Sequence, residues 1–116
     1  MEPMTTTKLT HLTFDCADAA ALAAFWSAVL GLPTDDGASL QYALLKGAPS
    51  WMFLQVPEPK AAKNRMHPDL ATDDLPAEVE RLKGLGASHL ADHEEEGTRW
   101  ATLADPEGNE FDVVAT

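Results

Sequence analysis

Two histidines, His11 and His67, stand 56 positions apart, and Gln55 and Asp112 stand 57 apart. Imidazole, amide and carboxylate groups are the side chains that hold divalent metals. Asp69 follows His67 by two residues, so on an extended chain it shares the imidazole's face. There it can orient His67 or act as a general base. Each residue also has a plainer use. His67 and His11 serve equally well as half-exposed structural histidines. Gln55 can cap backbone groups, and Asp112 can pair with Arg65 or Arg99. The stronger reading rests on their joint placement, which depends on the elements that carry them.

The stretch "KLTHLTF" (8–14) alternates and reads as a strand. "DAAALAAFWSAVLGL" (18–32) reads as a helix, with Asp18 as its N-cap and Gly31 as its stop. Leu22, Phe25, Trp26, Val29 and Leu30 form its apolar face. A short strand over 33–36 and strands over "SLQYALLK" (39–46) and "SWMFLQV" (50–56) follow. "PEPKAAKNR" (57–65), with two prolines and the basic residues Lys60, Lys63 and Arg65, reads as a linker.

The pattern then restarts. "MHPDLAT" (66–72) is a strand and "DLPAEVERLKGLGA" (74–87) a helix. Asp74 is the expected cap, Pro76 lies in the first turn, and Gly84 or Gly86 ends the helix. "SHLADH", "TRWATLA" and "EFDVVA" are strands, with "DHEEEG" (92–97) as an exposed hairpin loop. "DPEG" (105–108) has the chemistry of a type I turn. The chain therefore divides into a first module (8–57), a linker (58–65) and a second module (66–116). Each half is too small to bury a core alone, so the two are expected to pack together in an α+β arrangement, within one chain or across a dimer.

Alternation assigns faces. Leu12 and Phe14 oppose His11, Thr13 and Asp15. Met52, Leu54 and Val56 oppose Trp51, Phe53 and Gln55. Met66, Pro68 and Leu70 oppose His67 and Asp69, and Phe111 and Val113 oppose Glu110 and Asp112. The apolar sets suit the helices. His11, Gln55, His67 and Asp112 are thereby expected together on the open faces. Pro68, which lacks a strand N–H, requires an edge or a local distortion.

Composition sets outer bounds. A formal net charge of −11 argues against nucleic acid or an anionic membrane as partner. No apolar run nears the roughly 20 residues of a membrane span. "MEPMTTTKL" lacks the pattern of a secretion signal, so a cytoplasmic location is expected. Cys16 is the single cysteine, which leaves no disulfide and suggests a buried, inert thiol.

The stretches "LTFDCAD" with "LAAFWSAVLG", "VPEPKAAKNRMHPDL" with "DDL", and "TRWATLADPEGNEFDVV" carry a resemblance to the vicinal oxygen chelate superfamily. That superfamily includes glyoxalase I, bleomycin and fosfomycin resistance proteins, and extradiol dioxygenases. The resemblance runs from about Leu9 to Val114 and is nearest to small glyoxalase-like proteins. It implies two βαβββ modules forming curved mixed sheets around a cup with a metal at its base. The implied ligands are His11, Gln55, His67 and Asp112, holding iron, nickel, zinc or manganese. Asp69, from its place beside His67, and Asp112 are the expected proton-handling groups. Tyr42, Trp51, Phe53, Trp100 and Arg65 are the expected substrate contacts, against the plainer reading that the aromatics are core. The implied activity is a metal-dependent lyase, isomerase or dioxygenase acting on a small substrate with adjacent oxygens. A metal-free protein that sequesters a small molecule is the alternative. A homodimer is expected in either case.

Overall fold

The structure, a computed structural model, describes residues 5–116. The first four residues of the N-terminal stretch lie outside the described part. The order of elements is β1 (His11–Cys16), α1 (Ala19–Leu30), β2 (Tyr42–Leu45), β3 (Ser50–Gln55), β4 (Asp69–Thr72), α2 (Leu75–Leu85), β5 (Ser88–Glu95), β6 (Thr98–Ala104) and β7 (Glu110–Ala115). The expected strand over 33–36 is reduced to a single bridge between Thr34 and Leu45. No helix among the described residues is long and apolar enough to cross a membrane.

Local chemistry sets the helix ends. The Asp18 carboxylate accepts from the Ala21 N–H at 3.0 Å and the Asp74 carboxylate from Ala77 at 3.2 Å. Each satisfies a first-turn donor that has no partner within the helix. Gly31 and Gly86 end the helices in the left-handed region, at φ 69° and 118°. Both caps stand seven residues after a histidine, Asp18 after His11 and Asp74 after His67. That common offset fixes the correspondence of the two halves.

Two sheets result, one in the order β1-β3-β2 and the other β4-β7-β6-β5. In each, the first strand runs parallel to the last, and the last is antiparallel to the one before it. β4 starts at Asp69 on a sheet edge, so Pro68 precedes the strand and no ladder N–H is missing. The Pro68 carbonyl still accepts from the Asp112 N–H at 3.0 Å. β5 runs further than its charge suggests. Only Glu96 and Gly97, at φ 49° and 81°, make the turn to β6. Two consecutive positive φ angles match the twist of a tight hairpin.

One core joins the halves. Leu22, Trp26 and Phe53 from the first pack with Leu82, Leu103, Phe111 and Val113 from the second. Arg81 on α2 donates to the Ala28 and Val29 carbonyls at 3.1 and 3.0 Å, covering acceptors at the end of α1. Its hydrogen bond to Glu78 holds that carboxyl below the usual range. The turn after β6 supplies a second tie. Gly108 N–H donates to the Asp105 carbonyl at 2.9 Å, and Gly108 has φ 87°. The buried Asp105 carboxylate accepts from the Trp26 indole at 3.1 Å. Glu107 accepts from the Ala17 and Asp18 amides just ahead of α1.

Three face assignments require correction. In β3, Phe53 is fully buried and Leu54 is 36% exposed, the reverse of the expected parity. The reason is register. Phe53 pairs with Phe14 and Trp51 with Leu12, and laterally paired residues share a face. Trp51 accordingly stacks on Phe14 at 5.5 Å and lies 5.1 Å from Trp26, within the core. Met66 is 78% exposed and does not meet α2, because the chain is not yet a strand there.

Cys16 is buried, and its thiol donates to the Leu54 carbonyl. Burial, reinforced by the Glu107 charge, pushes it up to about 11, so it stays protonated and unreactive at neutral pH.

Candidate metal centre

The open face of the second sheet is built by pairing. Asp69 lies opposite Asp112, and Asp112 opposite Thr102, across three adjacent strands. His67, two residues before Asp69, places Nδ1 at 3.0 Å from Asp69 Oδ1 and 3.7 Å from Asp112 Oδ2. One atom each of His67, Asp69 and Asp112 lies within 4.8 Å of the others. An imidazole with two carboxylates is a donor set that suits a divalent first-row metal. Asp112 is the sheltered member, its side chain 20% exposed against 60% for Asp69.

The loop carrying His67 is pinned by Asn64. Its side chain accepts from the Glu110 N–H at 2.8 Å and donates to the Glu110 carbonyl at 3.1 Å. A side-chain amide thus bonds the backbone of β7 as a strand neighbour would, just before β4 begins. Lys63 pairs with the Glu110 carboxylate at 2.7 Å. In the sequence both residues fall within the linker (58–65), and only the folded chain brings them to β7.

Two cavities flank the group. One, of about 370 Å³, is lined by His67, Asp112, Thr102, His93, Trp100 and Lys63. The other, of about 450 Å³, is a cleft between β1 and the 64–68 segment, lined by His11, Thr13, Asp15, Met66 and His67. His11 and His67 therefore share a wall. His11 is not a member of the metal-capable group.

Gln55 is elsewhere. Its amide donates to the Ala17 carbonyl at 3.1 Å, at the end of the sheet where β1 leads into α1. Its proposed equivalence to Asp112 fails on register. Asp112 is the partner of Asp69, two residues after His67, and the partner of Thr13, two after His11, is Met52. Met52 and Asp112 are 60 positions apart, because the second half has a longer run between its helix and its last strand.

Of the expected substrate contacts, Trp100 lines the cavity beside Asp112. Tyr42, 37% exposed, is paired with Leu54 and shares the open face of the first sheet. Trp51 and Phe53 are core. Arg65 is exposed in the loop before β4 and lines neither cavity. Thr102 and His93 were not anticipated. Alternation along β6 puts Thr102 on the face of Trp100, a signal available in the sequence. His93 was hidden by the charged run that surrounds it.

Paired βαβββ-type halves with an open, polar sheet face define the glyoxalase/bleomycin resistance/dioxygenase fold. A solved enzyme of that family from Burkholderia phytofirmans PsJN matches with a TM-score of 0.78 at 20% identity, covering 94% of this chain and 98% of its own. A fosfomycin resistance protein from Mesorhizobium loti matches with a TM-score of 0.74 at 19% identity, covering 97% and 94%. A lactoylglutathione lyase from Agrobacterium tumefaciens gives 0.67 at 19% identity, covering 98% and 95%. No curated protein matches this sequence significantly. The family model of the glyoxalase-like domain matches residues 11–114, and the chain belongs to that family, within the vicinal oxygen chelate superfamily.

Proposed function

We propose that this chain is a metal-dependent enzyme of the lyase, isomerase or dioxygenase type, acting on a small substrate with adjacent oxygens. The observation that carries the reading is the convergence of His67, Asp69 and Asp112 beside a cavity. His67 Nδ1, Asp112 Oδ2 and Asp69 Oδ1 are the atoms that would hold iron, nickel, zinc or manganese. A divalent ion bound there supplies Lewis-acid polarisation of a substrate carbonyl or enediolate. Trp100, which lines the cavity, would offer the substrate an apolar wall. Asp69, the more exposed carboxylate, would take a proton from a substrate carbon or hydroxyl through its other oxygen, the one that is not a ligand.

The test uses untagged protein stripped by a chelator and then melted with manganese, cobalt, nickel or zinc. At a metal concentration 100 times Kd, mass action adds about 2.7 kcal/mol of stability. His67→Ala should abolish that gain and leave the metal-free melting point unchanged. If none of the metals raises the wild-type melting temperature, the enzyme reading is lost. A metal-free binding protein then stands, which the 3.0 Å His67–Asp69 contact favours, since those groups can satisfy each other.

The enzyme reading includes a homodimer. The cavity at Asp112 is walled by the second half and the linker alone. Leu40, Tyr42 and Leu54 leave the first half with exposed apolar surface. The radius of gyration, 15.3 Å, exceeds the about 13 Å of a compact domain of this length. A second copy whose first half faces this cavity would complete the cup. Light scattering should give twice the 12.5 kDa chain mass. A monomer at micromolar concentration contradicts it.

A further inference from the structure

We infer that Thr102 is a positioning residue for the metal centre, itself held by His93, a role that rests on the metal-binding reading of His67, Asp69 and Asp112. The Thr102 hydroxyl lies 2.6 Å from Asp112 Oδ1. An ionised carboxylate only accepts, so the single hydroxyl proton is committed to Asp112. His93 Nε2 lies 3.2 Å from the same hydroxyl oxygen. With that proton engaged, the oxygen offers His93 a lone pair, and His93 must donate through Nε2–H. The chain therefore runs in one direction, from His93 to Thr102 to Asp112. Each bond polarises the next.

The chain has a fixed far end. The His93 ring stacks on Trp100, with centroids 5.0 Å apart and planes 20° from parallel. His93 and Trp100 are direct cross-strand partners, as are Thr102 and Asp112. Three neighbouring strands thus hold the carboxylate by one oxygen. The other, Oδ2, is left facing His67. This selects a single-oxygen ligand from a side chain that would otherwise rotate freely.

The first half provides an internal comparison. There Thr13, Met52 and Leu44 take the places of Asp69, Asp112 and Thr102, in the same pairing register. Where the carboxylate is replaced by methionine, the hydroxyl is replaced by leucine. The hydroxyl and carboxylate occur together at these two positions on the half that has the metal-capable group, and neither occurs at the matching positions, Leu44 and Met52, on the other. A threonine chosen only for strand-forming tendency would have no reason to track the acid.

The experiment compares wild type with Thr102→Val, Thr102→Ser and His93→Phe. Thr102→Val keeps shape and strand preference without the hydroxyl, and His93→Phe keeps the stack without the donor. Two readouts are needed. The first is the Asp112 χ1 rotamer in metal-free protein, from NMR couplings. A single rotamer is expected in wild type and Thr102→Ser, and averaging in Thr102→Val. The second is cobalt(II) affinity from visible absorption. Thr102→Val should weaken it about 10–100-fold, the usual effect of losing a residue that orients a ligand. Thr102→Ser should stay close to wild type, and His93→Phe should fall between. A fixed Asp112 rotamer in Thr102→Val overturns the inference whether or not metal binds. So does undiminished cobalt affinity in that variant. Wild type that binds no cobalt overturns the metal reading instead, and the rotamers still decide the role of Thr102.

Discussion

Asp105→Ala should lower unfolding stability by about 2–3 kcal/mol, the cost of leaving buried N–H donors without their charged acceptor. The carboxylate is 2% exposed. Oδ1 accepts from the Glu107 and Asn109 amides at 2.9 and 3.0 Å. Oδ2 accepts from the Trp26 indole at 3.1 Å and the Asn109 side chain at 2.9 Å. Truncation leaves the fully buried Trp26 with an unpartnered N–H and removes the side-chain acceptor of the Glu107 and Asn109 amides within the turn. It also loosens Glu107, whose carboxylate meets the Ala17 and Asp18 amides, where negative charge is favoured near a helix start. Asp105→Asn keeps one acceptor and should lose about half as much. Urea unfolding monitored by tryptophan fluorescence measures both. A loss below about 1 kcal/mol for Asp105→Ala, the level of an ordinary surface change, would mean the turn is not the tie between the halves.

Phe53→Ala should cost about 3–4 kcal/mol, and Leu54→Ala less than about 1 kcal/mol. Phe53 is fully buried, 5.4 Å from Phe14 in ring-to-ring distance, in the cluster that includes Trp26 and Phe111. Removing the ring leaves a cavity in a core shared by both halves. Leu54 points to the open face of the first sheet and is partly exposed. The pair reports the face of β3 directly. A larger loss at Leu54 than at Phe53 would restore the opposite parity and return Phe53 to the open side.

The sequence by itself determined what is local. Asp18 and Gly31, and Asp74 and Gly86, bracket their helices because caps act within one turn of the chain. The turn at 105–108 was readable because Asp, Pro and Gly each impose a known backbone preference. β6 and β7 match their expected bounds, since contrast between apolar and polar positions marks the buried face. The same contrast placed Asp112 opposite Phe111 and Val113. The repeat was legible in the offset of His11 from His67, which the two caps share.

The tertiary structure decided what depends on register. In "WMFL" every residue is apolar, so alternation has no contrast, and pairing with β1 chose Trp51 and Phe53 for the core. Counting along the chain made Gln55 the counterpart of Asp112. Hydrogen-bonded pairing made it Met52, because loop residues change the count without changing the ladder. Asn64, Thr102 and His93 acquire their contacts to Glu110, Asp112 and Thr102 only in the folded chain, 46, 10 and 9 positions away along the sequence. A side chain's type is written in the sequence. Its neighbours are set by which strands pair, in what order and in what register, and that is fixed only when both halves close on a common core.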